Sequence, residues 1–277
     1  MELKEVQVLS QAELLVAAQV RRDRQFRANV ALTWIVLIAV LVLIFSGKGN
    51  LPFGIRGIKL DSAFISENWS FIASGIGSTI GISILSIIMA TILALLAALG
   101  RLSKFPPVYA LSTFYVSLIR GTPLYLQIFF FFLALPQLGI ILPGLWAGVF
   151  ALGLNYGAYM SEIFRAGLAA VSKGQREAAM AIGMTARQTM QRIVLPQALR
   201  FAIPPTGNEF IAMTKDSALV SATGFVHELM WRATKVGRAH FRNLEALIIA
   251  AVFYWIMTLI LTALQSRLEA RVSRGER

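Results

Sequence analysis

The sequence predicts an all-α integral membrane protein with about six transmembrane helices, and three observations carry that expectation. Apolar residues make up 57% of the 277 positions and charged residues 14%, whereas a soluble domain is roughly 25% charged. Several long runs carry no charge at all, and lysines and arginines gather between those runs on alternate sides.

The runs fall in order along the chain. Residues 28–47 form the first, 68–100 the second, 121–161 the third and 246–266 the last. About 20 apolar residues span a bilayer core. The third run is interrupted by LPQLGIILPG at 135–144, whose prolines and glycines read as a turn, so the runs hold five spans. The second is longer than one span needs, and its polar start reads as lying outside the membrane. A sixth, weaker span covers 201–226 and carries Glu209, Lys215 and Asp216. The first 27 residues are mixed polar and charged, which does not fit a cleaved signal, and the apolar run after them is long enough to stay as an anchor.

Six spans put both termini on one side, and basic residues decide which. Lys4 and Arg21 to Arg27, Arg101 and Lys104, the segment 165–200 and the tail 267–277 all fall on the same side. Lys48, Arg56 and Lys59, with Arg232, Lys235, Arg238 and Arg242, fall on the other and are fewer. Cytoplasmic loops carry the lysine and arginine excess, so both termini are expected inside. The net charge of +12 is therefore spread over membrane edges rather than gathered in a nucleic-acid module. With no cysteine and only His227 and His240, neither a metal site nor a cofactor is expected.

Between the fourth and fifth spans lies EAAMAIGMTARQTMQRIVLP, 177–196, in a loop of about 30 residues that is too long for a simple connector. Residues 177–182 contain good helix formers, Gly183 permits a reversal, and Thr185 is placed to cap a second helix running to Leu195. Pro196 is expected to stop or bend that helix. Ala178, Ala179 and Ala181 keep bulk low, which suits a docking knob; the alternative is an amphipathic loop lying on the headgroups.

Glu177-Ala178-Ala179, then Gly183, then Ile193-Val194-Leu195-Pro196 resembles the EAA loop of ABC importer permeases. RGTPLYLQIFFFF (120–132), AYMSEIFRAGLAAVSKGQREAA (158–179) and LPQALRFAIPPTGNEFIAMTKDSALVS (195–221) resemble the polar amino-acid branch of that family, the histidine, glutamine, glutamate and arginine type. The likeness runs from about residue 71 to the end. It implies a type I (MetI-like) permease core at 71–277 with a coupling loop at about 170–200. That core follows an extra N-terminal helix within residues 1–70, which also hold a cytoplasmic segment and an external loop. The departure at Ala218, where a hydroxyl is usual, bears on ligand preference.

The resemblance implies the partners as well. These are a dimer of ATPase subunits inside, a solute-binding protein outside, and a second permease chain, identical or sister, in the bacterial inner membrane. Glu177, Ala178, Ala179, Gly183, Ile193, Leu195 and Pro196 are the expected coupling residues. No phosphate-binding glycine loop occurs, so the chain is expected to be no enzyme and to borrow ATP hydrolysis from its partner. The expected function is import of a polar amino acid. The rivals are a channel or ion-coupled secondary transporter, a membrane-embedded enzyme, and an ABC permease for an opine, methionine or another small polar solute.

A charge at the bilayer centre costs about 2.5–3.5 kcal/mol on insertion scales and so faces a cavity or a partner. Glu209 and Asp216 are seven apart and share a helical face. With Arg120, Thr122, Asn208, Lys215 and Ser217 they make the candidate solute path, both signs suiting an amino acid. The alternative is that these charges pair with one another to orient helices. Pro204, Pro205 and Gly207 are expected to break the start of the fifth span, Thr122 to cap the helix after Pro123, and Glu162 to pair with Arg165.

Overall fold

The computed structural model describes residues 2–45 and 59–273, and all regular structure among them is helical. Gly47 at the end of the first run, Lys48 and Arg56 of the outer loop, and Arg274 and Arg277 of the tail lie outside the described residues. The chain divides into two compact units, Met1–Ser62 and Ala63–Arg277.

In the first unit, α1 (Glu2–Phe45) is one unbroken helix of 44 residues. No glycine or proline interrupts it, so the charged stretch around Arg21 to Arg27 does not end it. At about 1.5 Å per residue it is twice the length a bilayer core requires. Its apolar part, Leu14–Ile44, is by itself long and apolar enough to cross.

The second unit begins with α2 (Ser62–Ala73) and α3 (Ile76–Gly100), which together make one apolar run. Then come α4 (Pro106–Arg120) and α5 (Leu124–Phe129), the latter extended by a π turn and a 3-10 turn to Leu138. α4 and the run from Leu124 meet at 104°. The third span was expected to begin at Gly121. In the structure its helix begins at Pro106, and the Gly121–Pro123 break lies inside the bent pair, because Pro123 cannot continue α4.

α6 (Gly144–Ala170) packs most extensively against α3. Small residues make the approach possible: a Cβ on Gly157 would lie 2.8 Å from the Tyr115 hydroxyl and 3.0 Å from Leu93, while Ala90, Ala94 and Ala98 of α3 are buried. Lipid tails give helices no hydrophobic drive to associate, so such close van der Waals contact carries the packing.

The segment between α6 and α9 folds as a hairpin. α7 (Lys173–Ala181) ends at Gly183, whose φ of +83° is left-handed. Gly183 N–H donates to Met180 and Met184 N–H to Ala179, each at 3.0 Å, a Schellman ending. Thr185 caps α8 (Ala186–Thr189) in a capping box with Gln188.

The expected stop at Pro196 does not occur. A π turn, Met190–Val194, leads directly into α9 (Leu195–Asp216), with Pro196 in the first turn of α9. Pro204 and Pro205 do not break α9 either; it runs through both. Gln265 of the last helix donates to the Pro204 carbonyl at 3.0 Å and to Asn208 at 3.1 Å, holding α9 there.

A 3-10 turn (Ser217–Thr223) follows, then α10 (Leu229–Ala239) and α11 (Asn243–Ser273). Glu228 is fully buried and caps α10 through Met230 and Trp231 N–H groups, and it also accepts from the Tyr254 hydroxyl at 2.7 Å. Burial pushes the Glu228 carboxyl above the usual range, while these hydrogen bonds pull it back.

Besides α1, the α2–α3 run, α11 and the bent pair are long and apolar enough to cross. α6 and α9 have the length, at 27 and 22 residues, but carry Asn155, Glu162, Glu209 and Asp216. Their polarity lines the feature that follows.

Candidate functional site

Between the α4–α5 break, α6 and α9 lies a cavity of about 600 Å³. The break supplies Arg120, Gly121, Thr122, Pro123 and Leu124; α6 supplies Asn155, Tyr156 and Tyr159; α9 supplies Glu209 and Asp216. Bending the chain by 104° turns the Arg120–Pro123 corner toward α6 and α9, which a straight helix could not do.

The corner is tied down by neutral polar groups. Gln127, buried, donates to the Ile119 carbonyl at 2.8 Å and to Thr122 Oγ1 at 2.9 Å, and accepts from Asn155 at 3.2 Å. Thr122 does not cap α5 as expected. Pro123 takes the cap position, and the Thr122 hydroxyl turns back to the Leu118 carbonyl at 3.0 Å.

Glu209 and Asp216 both reach the cavity, as their spacing predicts. Asp216 accepts a 2.8 Å hydrogen bond from the Tyr156 hydroxyl. Neither carboxylate forms an ion pair among the described residues, and Lys215 forms none. Arg120 instead reaches Glu162 at 3.4 Å and lies 5.1 Å from the Tyr159 ring centre. The expected Glu162–Arg165 pair is present at 2.8 Å, and Arg101 also binds Glu162. One carboxylate thus gathers three guanidinium groups.

Of the seven path candidates, the structure brings Arg120, Thr122, Glu209 and Asp216 together. Lys215 and Asn208 are exposed away from the cavity, Asn208 held by Gln265; Ser217 is buried and donates to the Thr214 carbonyl. Asn155, Tyr156 and Tyr159 were missed. Their signal was faint: neutral polar residues recurring in NYGAYMSE, one turn apart, inside a charge-free run.

On the hairpin, Glu177 and Ala178 are exposed, as are Gly183, Leu195 and Pro196, while Ala179 is buried and Ile193 half-buried. The most prominent apolar side chains there are Met180, 57% exposed, and Ile182, 79% exposed. Sequence reasoning passed over both because they sit among alanines and Gly183.

An all-helical membrane chain with a two-signed cavity and a projecting helical hairpin has the form of the membrane subunit of an importer. The chain belongs to the family described as binding-protein-dependent transport system inner membrane component, which its residues 90–274 match. It is 41% identical over 230 residues to the L-cystine transport system permease protein TcyB of Bacillus subtilis (strain 168), covering 81% of this chain and 97% of that one. It is likewise 41% identical over 220 residues to the arginine transport system permease protein ArtQ of the same organism, covering 79% and 100%.

A crystal structure of an amino acid ABC transporter with histidines superposes with a TM-score of 0.73 at 36% identity, over 77% of this chain and all of that one. The MetNI methionine ABC transporter in an inward-facing conformation shares the fold, with a TM-score of 0.61 at 17% identity over 77% and 99%. The chain is a multi-pass inner-membrane ABC importer permease of the type I fold. It is no enzyme itself; the ATPase is a separate subunit, and the family implies another permease chain beside it.

Proposed function

We propose that the cavity is the solute path, and that the cargo is a polar amino acid carrying a second positive group. The observation that carries this reading is that Glu209 and Asp216 face the cavity without a basic partner, while Arg120 lines the same wall. A buried or membrane-embedded charge without a partner is costly, so two such carboxylates call for cations from the solute. The α-carboxylate meets Arg120, the α-ammonium meets one carboxylate, and the other takes a second cationic group. The relatives named for arginine and for L-cystine both carry solutes with two positive groups.

Movement of the hairpin passes on the energy of ATP hydrolysis in the partner. Glu177, Ala178, Ala179, Gly183, Ile193, Leu195 and Pro196, with Met180 and Ile182 at the tip, form the surface that docks into an ATPase subunit. Both termini and the hairpin lie in the cytoplasm, residues 1–70 precede the permease core at 71–277, and two permease chains enclose the path. An extracytoplasmic binding protein delivers the solute.

The test is uptake of L-arginine, L-glutamine and L-glutamate by the complex in proteoliposomes, with Glu209→Gln and Asp216→Asn compared with wild type. The amides keep the volume and remove the charge. L-Arginine should be preferred by the wild type, and each variant should lose at least about tenfold in its uptake, one charge contact being worth roughly that much, with complex yield unchanged. Equal uptake of L-arginine by wild type and both variants would refute the assignment.

A further inference from the structure

A second cavity, of about 440 Å³, lies at the end of the helices that bears the hairpin. It is bordered by Arg101 and Leu102 where α3 ends, Tyr109 of α4, Arg165 of α6, Arg176 of α7 and Met190 beyond α8. Three guanidinium groups therefore line a space whose remaining walls are largely apolar.

The charges do not balance. Among the described residues, the ion pairs of Arg101, Arg120 and Arg165 all go to Glu162, and Arg176 has none. Arg176 donates one Nη to the Leu168 carbonyl, which holds it in place, while its Nε is buried with no hydrogen-bond partner. A buried, unmatched N–H on a fixed guanidinium is half of a fork that carboxylates and phosphates fill. Beside it, Leu102 and Tyr109 are about half exposed, an apolar flank leading away from the arginines.

We infer that this cavity binds a phosphate-bearing anion, and that its source is the headgroup of an anionic lipid. Basic pockets between helix ends at a membrane edge recognise such headgroups, and the apolar flank gives the acyl chains a course that a free phosphate would not need. The bound phosphate would join Arg176 of the hairpin to Arg101 at the α3–α4 corner. Anionic lipid would thereby stiffen the route by which hairpin movement reaches the bundle. The inference takes its leaflet from the proposed orientation and nothing else.

The experiment uses the purified full chain in neutral detergent, with thermal unfolding and mass spectrometry of retained lipid as readouts. Phosphatidylglycerol should raise the unfolding temperature and remain bound, and phosphatidylcholine should do neither. Arg176→Gln and Arg165→Gln should each weaken phosphatidylglycerol binding about fivefold, the contribution of one basic residue near an anionic surface. Arg176→Lys, which keeps the charge but not the fork, should recover only part of it. Arg165 is 47% exposed, so its variant carries the test if Arg176→Gln does not fold. Stabilisation by inorganic phosphate with none by phosphatidylglycerol would keep the anion site and overturn the lipid as its source. Equal phosphatidylglycerol binding by wild type and both glutamine variants would overturn the site. Lipid affinity, unlike uptake, does not depend on the proposed cargo or coupling.

Discussion

Glu162 and the Glu209–Asp216 pair are carboxylates on neighbouring helices of one bundle, and they meet opposite surroundings. Glu162, with 24% of its side chain exposed, is ringed by Arg101 from the turn after α3, Arg120 of α4 and Arg165 of its own helix α6. Glu209 and Asp216 lie on one face of α9 and meet a cavity and a tyrosine hydroxyl instead. The first arrangement satisfies its own charge and so joins helices. The second leaves charge over for something that arrives from outside the chain. Arg120 touches both, since it lines the cavity and reaches Glu162, so a solute carboxylate drawing on Arg120 competes with the joint.

If that contrast is right, Glu162→Gln damages the scaffold first. Three guanidinium groups lose their counter-charge, and because all four side chains are partly exposed the cost lies between the roughly 1 kcal/mol of an exposed pair and the roughly 3 kcal/mol of a buried one. Thermal unfolding of the purified chain should show a clear fall, with lower complex yield. Full stability accompanied by lost uptake would instead place Glu162 with the cavity and dissolve the distinction.

Tyr156→Phe acts on the other side of the comparison. It removes one hydroxyl that donates to Asp216 and leaves the ring that fills the core of α6. A hydrogen bond to a charged group contributes about 1.5 kcal/mol at the low end. Stability should fall by no more than about that figure, while the apparent KM for uptake rises because Asp216 is no longer held at the cavity. A large stability loss with unchanged KM would make Tyr156 a packing residue alone.

Much of this was legible in the residues, for reasons that differ from place to place. The hairpin was, because Gly183 and Thr185 act through local geometry: a left-handed turn and a capping box need no distant partner. The spans were legible as charge-free runs, although α4 was not. Arg120 had been read as the edge of an apolar zone, whereas it closes a helix whose apolar face starts at Pro106. What stayed hidden depends on distance along the chain. Arg101 and Glu162 are 61 residues apart and Arg120 and Glu162 are 42, and no periodicity links them. Pro204 and Pro205 misled because a proline pair argues for a break, yet α9 is held by α11 through Gln265.

Lys215 gives the smallest effect and the most local test. It adjoins Asp216, and adjacency made it an equal candidate for the path. Neighbours on a helix point about 100° apart, however, whereas residues three, four or seven apart share a face. In the structure Asp216 turns to the cavity and Tyr156, while Lys215 is exposed and makes no ion pair among the described residues. Lys215→Gln should therefore leave stability within about 0.5 kcal/mol of wild type, as exposed substitutions usually do, and leave the KM for L-arginine unchanged. Asp216→Asn, one position on, should weaken uptake strongly in the same assay. A Lys215→Gln loss matching that of Asp216→Asn would mean that the lysine swings into the path when two permease chains close around a solute, and the cavity charge would then be balanced by the protein rather than by its cargo.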